Sequence, residues 1–414
     1  MNEILKEELI LAAGCTEPLA IAYASSIIRD HLEGKLKKLN IICSPNIVKN
    51  VNSVKIPNTN GKRGIKAAAV AGYVAGNSKL KLEAIKNVEK EKIDEIIKEL
   101  DKDYVNVILD KEKPKLYIKV QGISENDKVT VEIMHTHTNI TKIKKNDEII
   151  FQNKNDNTSL NTVLADRSIL NVKDIYDFAL KGNIDEVRDL IEKQIEFNYN
   201  IAKEGMENDW GSNVGETLLG DDLYLNLIAY ASAGSDARMS GCNMPVMTNS
   251  GSGNQGMTLS VPIIHYAKEK NINHEELVRA LVFANLINVY LKTGIGRLSA
   301  YCGAVCAGKS AWAGIAFINK DSLEVISDLI TNGIATDSGI ICDGAKESCA
   351  SKIATSLFSG YLGYKMAKKK RVFPNECGIV KENTDETIKA VWEVASTGMK
   401  KTDEIILDVM LEKK

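Results

Sequence analysis

Residues 104–152 read YVNVILDKEKPKLYIKVQGISENDKVTVEIMHTHTNITKIKKNDEIIFQ. Apolar and polar residues alternate in four segments of this stretch, and turn residues separate one segment from the next: YVNVILD, KLYIKVQG, KVTVEIMHTH and DEIIFQ. A period of two is typical of strands that bury one face, and short turns between such strands indicate antiparallel pairing. The stretch therefore predicts an antiparallel sheet covered by helices on one face.

Helices and two further strands are predicted on the N-terminal side of this sheet. Residues 1–32 have a helical pattern that is interrupted at GCTEP, where Pro18 suits the first turn of a second helix. KLNIICS and SVKIP, between residues 37 and 57, predict short strands. GIKAAAVAGYVAG and the charged segment near 90–100 then predict helices. Residues 1–160 are thus predicted to form an α+β module.

The remainder of the chain, residues 165–414, is predicted to be an all-helical domain, because nearly every segment after about 170 has a period of 3.6. The polar stretch NKNDNTSLNT (153–162) is the predicted linker. Whether residues 1–32 pack on the α+β module or dock on the helical domain is left open. Glycine-rich loops interrupt the helices, and they suggest close approach of the backbone to a ligand: GSNVGE, SGSGNQG, TGIGR, CGAVCAG and CDGAK.

Composition and charge exclude several classes of protein. The 414 residues carry a formal net charge of −2, with lysines interspersed among acidic residues, so we expect no nucleic-acid partner. No apolar run approaches the roughly 18 residues of a membrane span, and the N-terminal residues lack the pattern of a signal peptide. Eight cysteines at irregular spacing do not indicate a disulfide framework. We therefore expect a cytoplasmic protein with reduced thiols.

Four of the eight cysteines lie between residues 302 and 349, in AYCGAVCAGKS and IICDGAKESCASK: Cys302, Cys306, Cys342 and Cys349. Their spacing matches no zinc motif, and no histidine pair accompanies them. Thiolate-only ligation suits an iron–sulfur cluster better. Spacing alone leaves a second interpretation open, because buried cysteines often pack as small hydrophobic residues. We expect Cys43, Cys242 and Cys377 to have structural roles.

The motifs together identify a resemblance that covers essentially the whole chain. YCGAVCAGKSAWAG and CDGAKESCASK, preceded by NSGSGNQG, resemble the catalytic domain of the iron–sulfur L-serine dehydratases. With GCTEP near the N-terminus and HTN after a strand, the chain more closely resembles the L-cysteine desulfidase family. The resemblance implies a [4Fe-4S] cluster with one open iron site, held by Cys302, Cys342 and Cys349. Cys306 is interpreted as a packing residue.

Three further segments are expected to line the substrate pocket. Cys15 lies just ahead of a helix start, where a thiolate is favoured. The resemblance implies that it is a base or proton carrier. Alternatively, it contacts the cluster or the substrate sulfur. His137 is the rival base, and its spacing from His135 would place both on one face of a strand. The expected substrate-binding residues are Thr16, Glu17, Thr138, Asn139, Ser252, Gly253, Asn254 and Gln255.

The resemblance implies a non-redox β-elimination that converts L-cysteine to hydrogen sulfide, ammonia and pyruvate. Three alternatives stay open at this point. The first is the same elimination on L-serine or L-threonine, and the second is a pyridoxal-phosphate lyase with SGSGNQG as its phosphate loop. The third is an iron–sulfur or sulfur carrier that has no catalytic activity. Besides the amino acid, the expected partner is a second copy of the chain in a homodimer.

Overall fold

The structure is a computed structural model that describes residues 1–12, 14–153 and 165–412. In the N-terminal part the elements are α1 (Asn2–Glu8), β1 (Leu11–Ala12), α2 (Thr16–His31), β2 (Lys38–Cys43), α3 (Pro45–Val51), α4 (Gly64–Ala75), a 3₁₀ segment (Ser78–Glu83), α5 (Lys90–Leu100), β3 (Val105–Leu109), β4 (Tyr117–Ile123), β5 (Lys128–Met134), β6 (Ile140–Lys145) and β7 (Glu148–Gln152).

The C-terminal part is helical, with one short strand. Its elements are α6 (Val172–Lys181), α7 (Asp185–Glu207), α8 (Val214–Leu218), α9 (Leu223–Met239), β8 (Val246–Met247), α10 (Gly253–Glu269), α11 (His274–Thr293), α12 (Gly303–Ile318), α13 (Leu323–Asp337), α14 (Cys349–Ala367), α15 (Thr384–Glu393), a π-helical turn (Val394–Gly398) and α16 (Lys400–Glu412). No helix in the described ranges is long and apolar enough to cross a membrane.

The predicted sheet is present, but the prediction that it is antiparallel throughout was wrong. Its strand order is β3-β2-β4-β5-β6-β7, and β2 and β3 run parallel. A parallel pair requires a long crossover connection, which here consists, in chain order, of α3, α4, the 3₁₀ segment and α5. Helix α2 packs on β4 and β5, as the predicted cover of one face requires. The larger sheet is therefore mixed.

Two local predictions in this part of the chain also differ from the structure. SVKIP forms no named strand, and Lys55 makes only an isolated antiparallel bridge with Arg63. The preceding residues instead form α3, which Pro45 begins at a position where its missing N–H is not needed. β6 was not predicted, because Ile140 and Ile143 are three residues apart and the segment therefore lacks a period of two.

The N-terminal residues divide between the two parts of the molecule. Helix α1 packs against α7 and α11, and β1 pairs antiparallel with β8, where Leu11 lies opposite Met247. This small sheet is the exception to the predicted all-helical C-terminal part. Helix α2, in contrast, packs on the six-stranded sheet and on α4. The chain therefore crosses from one hydrophobic core to the other between Leu9 and Ala12.

A second crossing lies at the C-terminus. Helix α16 packs on α3, and Leu407 is buried in the same core as the sheet. Both crossings bind the N-terminal and C-terminal parts together around the predicted site. The predicted linker at 153–162 lies outside the described residues from 154 onward, so the division at 160/165 stays a prediction.

Asp236 on α9 gives a prediction about stability and pH. It is fully buried and accepts the Gly215 N–H at 3.1 Å, and burial raises its pKa to about 6. The native protein therefore keeps a proton that the unfolded chain loses near pH 4. Stability from this group is fully present below about pH 4 and is lost as the pH rises through 6.

Asp236→Asn is therefore expected to remove this pH dependence of stability, because an amide does not ionise. The hydrogen bond is kept, since the amide oxygen can still accept the Gly215 N–H. Melting temperatures of the two proteins, measured between pH 4.5 and 7.5, should diverge in favour of the variant as the pH rises. Parallel curves over that range would contradict the prediction.

Candidate functional site

Two of the three predicted ligand cysteines are brought together by a short antiparallel bridge. Tyr301 pairs with Ile341, the Cys302 N–H donates to the Ile340 carbonyl at 3.0 Å, and the Cys342 N–H donates to the Ala300 carbonyl. In this pattern residues 302 and 342 lie on one face of the bridge, diagonal to each other. The chain segments before α12 and α14 thus present two thiols to the same space.

The third cysteine reaches the same cavity from a helix start. Cys349 is the first residue of α14, and its thiol lies 3.7 Å from the Gly344 carbonyl. The cavity has a volume of about 820 Å³, part of it open to solvent. Its lining includes all three thiols and several of the other predicted site residues: Cys15, Thr16, Glu17, His137, Ser252, Asn254, Gln255, Cys302, Cys342 and Cys349.

The loop between Cys342 and Cys349 is held by the N-terminal part of the chain. Gly344 has a φ of +93°, and a Cβ there would lie 2.3 Å from the Lys49 carbonyl oxygen. Glu347 pairs with Arg63 at 3.0 Å. The glycine of CDGAK therefore allows the two parts of the protein to meet closely, whereas the sequence suggested that it makes room for a ligand.

The donor set of the cavity fits an iron–sulfur cluster better than a single ion. Within the described residues, no group of three or more His, Cys, Asp or Glu side chains is arranged to hold one metal ion. In a four-iron cluster each thiolate binds a different iron, so the ligands surround the cluster and do not meet at a single ion. Cys302, Cys342 and Cys349 surround one cavity and are the residues that would hold such a cluster.

Burial favours the protonated form of two of these thiols, Cys302 and Cys349, in the absence of metal. It raises the pKa of Cys302 to about 12, and the charges of Cys342 and Cys349 add to the effect. Burial also raises the pKa of Cys349. A thiol must lose its proton to bind metal, so cluster binding at this site would release protons.

Four of the remaining five cysteines lie apart from this cavity. Cys306 is one turn into α12, is 1% exposed and does not line the cavity. Cys43 is buried in the sheet, Cys242 is buried after α9, and Cys377 is exposed in a loop. All eight thiols are free, and their placement agrees with the structural roles expected for these four.

Cys15 is the N-cap of α2, as predicted, but its environment does not favour a thiolate. Burial and the Glu17 carboxylate raise its pKa well above the usual value, although Arg238 opposes them. Its thiol donates to Glu17 Oε2 at 3.1 Å, and Asn50 Nδ2 donates to Glu17 Oε1 at 2.9 Å. In the free protein Cys15 is therefore a neutral thiol, because burial and the local carboxylate together outweigh the helix terminus.

His137 faces the same carboxylate from the opposite side. Burial would raise the pKa of Glu17, but the contact with His137 and the Cys15 hydrogen bond lower it overall. His137 Nε2 lies 3.9 Å from Glu17 Oε1, beyond hydrogen-bond distance, and has no hydrogen-bond partner in the described residues. β5 ends at Met134 and His135 has a φ of +67°, so the predicted shared strand face of His135 and His137 was wrong.

The glycine-rich segment 250–256 forms the start of α10, as predicted. Ser252 is the N-cap, and its hydroxyl accepts the Gln255 N–H at 3.4 Å. The side chain of Arg238 donates to Asn254 Oδ1 at 3.0 Å and to the Gly14 carbonyl at 2.6 Å. Arg238 thereby joins this loop to the residue that precedes Cys15.

Thr138 and Asn139 lie in a neighbouring cavity and do not line the one that contains the cysteines. This second cavity shares Thr16, His137, Gly251 and Arg297 with the first. Asn139 Nδ2 donates to the Met134 carbonyl at 3.0 Å, which closes the turn after β5. The expectation that Thr138 and Asn139 contact substrate stays a prediction.

Comparison with known proteins adds an independent observation. A family model described as serine dehydratase alpha chain matches residues 79–408. The chain belongs to this family. A UPF0597 protein of Fusobacterium nucleatum is 44% identical over 99% of this chain and 97% of its own length. Corresponding proteins of Desulfitobacterium hafniense and Bacteroides fragilis are 46% and 35% identical, over 99% of this chain and 95% and 97% of their own lengths.

Membership of the serine dehydratase alpha chain family indicates a lyase of the iron–sulfur dehydratase type. The structure also places around the cavity residues that the sequence interpretation missed: Asn50, Arg238, Lys292 and Arg297. TGIGR, which contains Arg297, had been noted for its glycines alone. Arg238 and Lys292 lie in apolar helices, where nothing in the local pattern distinguishes them from surface cations.

Glu17 gives a prediction about the reactivity of Cys15. Because the Glu17 carboxylate raises the pKa of that thiol, Glu17→Gln is expected to lower it and to increase the alkylation rate of Cys15 at a fixed pH. The rate is measured on the metal-free protein with iodoacetamide, by mass spectrometry of the peptide that contains Cys15. Cys377, which is exposed and distant in the chain, is the internal control. An unchanged Cys15 rate would refute the prediction.

Proposed function

We propose that the protein is a [4Fe-4S]-dependent L-cysteine desulfidase, which converts L-cysteine to hydrogen sulfide, ammonia and pyruvate without net redox change. The observation that carries the proposal is the convergence of Cys302, Cys342 and Cys349 on a cavity that also contains Cys15 and the start of α10. When bound there, a cluster with an open iron would supply a Lewis acid with affinity for the substrate sulfur.

The start of α10 is the proposed site for the substrate carboxylate. The first N–H groups of a helix have no acceptors within the helix, and they favour an anion. Ser252, Asn254 and Gln255 line the cavity at this point. Gly253, the other residue predicted to bind substrate here, is buried and does not line the cavity, since a Cβ there would lie 2.6 Å from Arg238 Nε. This arrangement would fix the Cα–H bond of the substrate relative to Cys15 and His137.

The elimination removes the α-proton and breaks the Cβ–S bond, and the electron pair of that bond leaves with the sulfur. Aminoacrylate then tautomerises to an imine, which water hydrolyses to pyruvate and ammonia. We assign Cys15 the role of proton carrier, because its neutral thiol already donates to Glu17. Cys15 acts as the base only after its own proton has moved away. His137, with a free Nε2, is the rival base.

A second candidate is the dehydration of L-serine or L-threonine, which the family description favours. The chemistry is the same elimination with hydroxide as the leaving group. The thiol-lined cavity would tolerate either substrate, and the open iron would bind a thiolate more strongly than an alcohol. We therefore place L-cysteine first.

The test is anaerobic reconstitution with iron and sulfide, followed by assays on L-cysteine and L-serine. We expect about four irons per chain, sulfide and pyruvate in equal amounts from L-cysteine, and little pyruvate from L-serine. Faster turnover of L-serine would establish the second candidate. Bound pyridoxal phosphate without iron would replace both with a pyridoxal lyase. Iron without turnover of either amino acid would indicate a carrier.

A further inference from the structure

Lysines from three different helices lie close to the predicted ligand cysteines. They are Lys292 on α11, Lys309 on α12 and Lys352 on α14. In its thiolate form Cys302 would raise the pKa of each one, so all three ammonium groups are within electrostatic range of this sulfur. The three lysines differ in whether a carboxylate of the protein pairs with them.

Two of the three lysines pair with a carboxylate. Lys309 is fully buried and pairs with Asp337, and it also donates to the Ser356 carbonyl at 3.3 Å. Lys352 pairs with Asp343, which also pairs with Lys346, and it donates to the Ile341 carbonyl at 3.0 Å. Both ammonium groups therefore have a carboxylate partner within the protein.

Lys292 differs from both of them. It is 4% exposed, lines the cavity and makes no side-chain hydrogen bond or ion pair with any residue in the described ranges. Burial lowers its pKa, and the nearby thiols Cys306, Cys342 and Cys302 act in the opposite direction. An unpaired ammonium in a buried site is unfavourable, so its counter-charge must come from what fills the cavity.

A thiolate-ligated cluster supplies that negative charge. Three thiolates carry a charge of −3 and the [4Fe-4S] core carries +2, so the ligated cluster has a net charge of −1. A substrate carboxylate is also anionic, but the start of α10 already provides donors for it. The negative charges that would raise the pKa of Lys292 are those of Cys306, Cys342 and Cys302, and two of these three are predicted ligands.

We propose that Lys292 is the positioning cation of the cluster, the buried charge that balances the three thiolates and favours their ligated form. The inference rests on the proposed function, since it requires the cluster. Lys292 and the ligands would then form one electrostatic unit, in which the bound cluster supplies the negative charge that pairs with the ammonium group.

The experiment compares Lys292→Met, which removes the charge at similar length, with Lys292→Arg, which retains it. After anaerobic reconstitution, we measure iron content, the rate of iron loss to a chelator and the reduction potential of the cluster. For Lys292→Met we expect iron loss at least about tenfold faster and a more negative potential than in the unaltered protein, because an anionic group loses its buried partner. Lys292→Arg should lie between the two.

The melting temperature of the metal-free protein separates this role from a structural one. Lys292→Met should be at least as stable as the unaltered chain without metal, because an unpaired buried charge has been removed. A destabilised metal-free variant with an unchanged potential would overturn the proposal in favour of a structural role. An unchanged cluster with a raised KM for the amino acid would overturn it in favour of carboxylate binding. Failure of the unaltered protein to take up iron would instead refute the proposed function.

Discussion

Replacing Cys302, Cys342 or Cys349 individually by alanine is expected to abolish stable cluster binding and to lower turnover of L-cysteine by at least about 10³-fold. Each substitution removes one of the three thiols that converge on the cavity. The two that remain cannot hold the cluster with one open iron. Iron and sulfide content after reconstitution, with sulfide and pyruvate release, measure the effect.

Cys306→Ala is the matched control for this series. Cys306 belongs to the same cysteine-rich segment and, like Cys302, is buried, but it does not line the cavity. The variant should keep its iron and its activity, with a loss of stability typical of one small cavity. If Cys306→Ala loses the cluster, or if any of the other three variants retains it, the assignment of ligands is wrong.

The sequence predicted those features that depend on local patterns. Alternation over β4 and β5 and the small-residue pattern of α4 identified these elements, because each arises from neighbours in the chain. The parallel pairing of β2 with β3 could not be predicted in this way. It depends on how three helices cross the sheet, which is a property of packing across some 60 residues.

The site shows the same division between local and long-range information. The motifs identified Cys15, Ser252 and the cysteines, and the structure places them around one cavity. The protonation state of Cys15 could not be predicted, because the raised pKa depends on burial and on the orientation of Glu17. Lys292 was also missed, since its lack of a partner is evident only once α11 has packed.

The cysteine segments depend on both parts of the chain for their positions. The bridge at Tyr301 aligns Cys302 with Cys342, while Gly344 and Glu347 contact residues from the N-terminal part. Lys49, buried in α3, donates to the Ser299 carbonyl at 3.2 Å and pairs with Asp403 of α16. Folding of the N-terminal part and of the last helix is therefore coupled to the geometry of the site.

Lys309 is expected to be the most important single side chain for the stability of the helices that carry the cysteines. It lies in α12, which begins after Cys302, and pairs with Asp337 at the end of α13, just before the Cys342 segment. Its bond to the Ser356 carbonyl reaches α14, which begins at Cys349. One buried ammonium thus joins the three helices next to the predicted ligands.

Lys309→Met leaves the Asp337 carboxylate buried without its partner, and such a loss costs about 3–5 kcal/mol. We expect the free energy of unfolding of the metal-free protein in urea to fall by that amount. Lys401→Met in the exposed Lys401–Glu404 pair is the control, with an expected loss below about 0.5 kcal/mol.

Adding Asp337→Leu to Lys309→Met should recover most of the stability, because the double variant buries no unpaired charge. If Lys309→Met is as stable as the control variant, the pair does not hold the three helices together. If the double variant is less stable than Lys309→Met, the loss comes from packing of the lysine chain and not from charge.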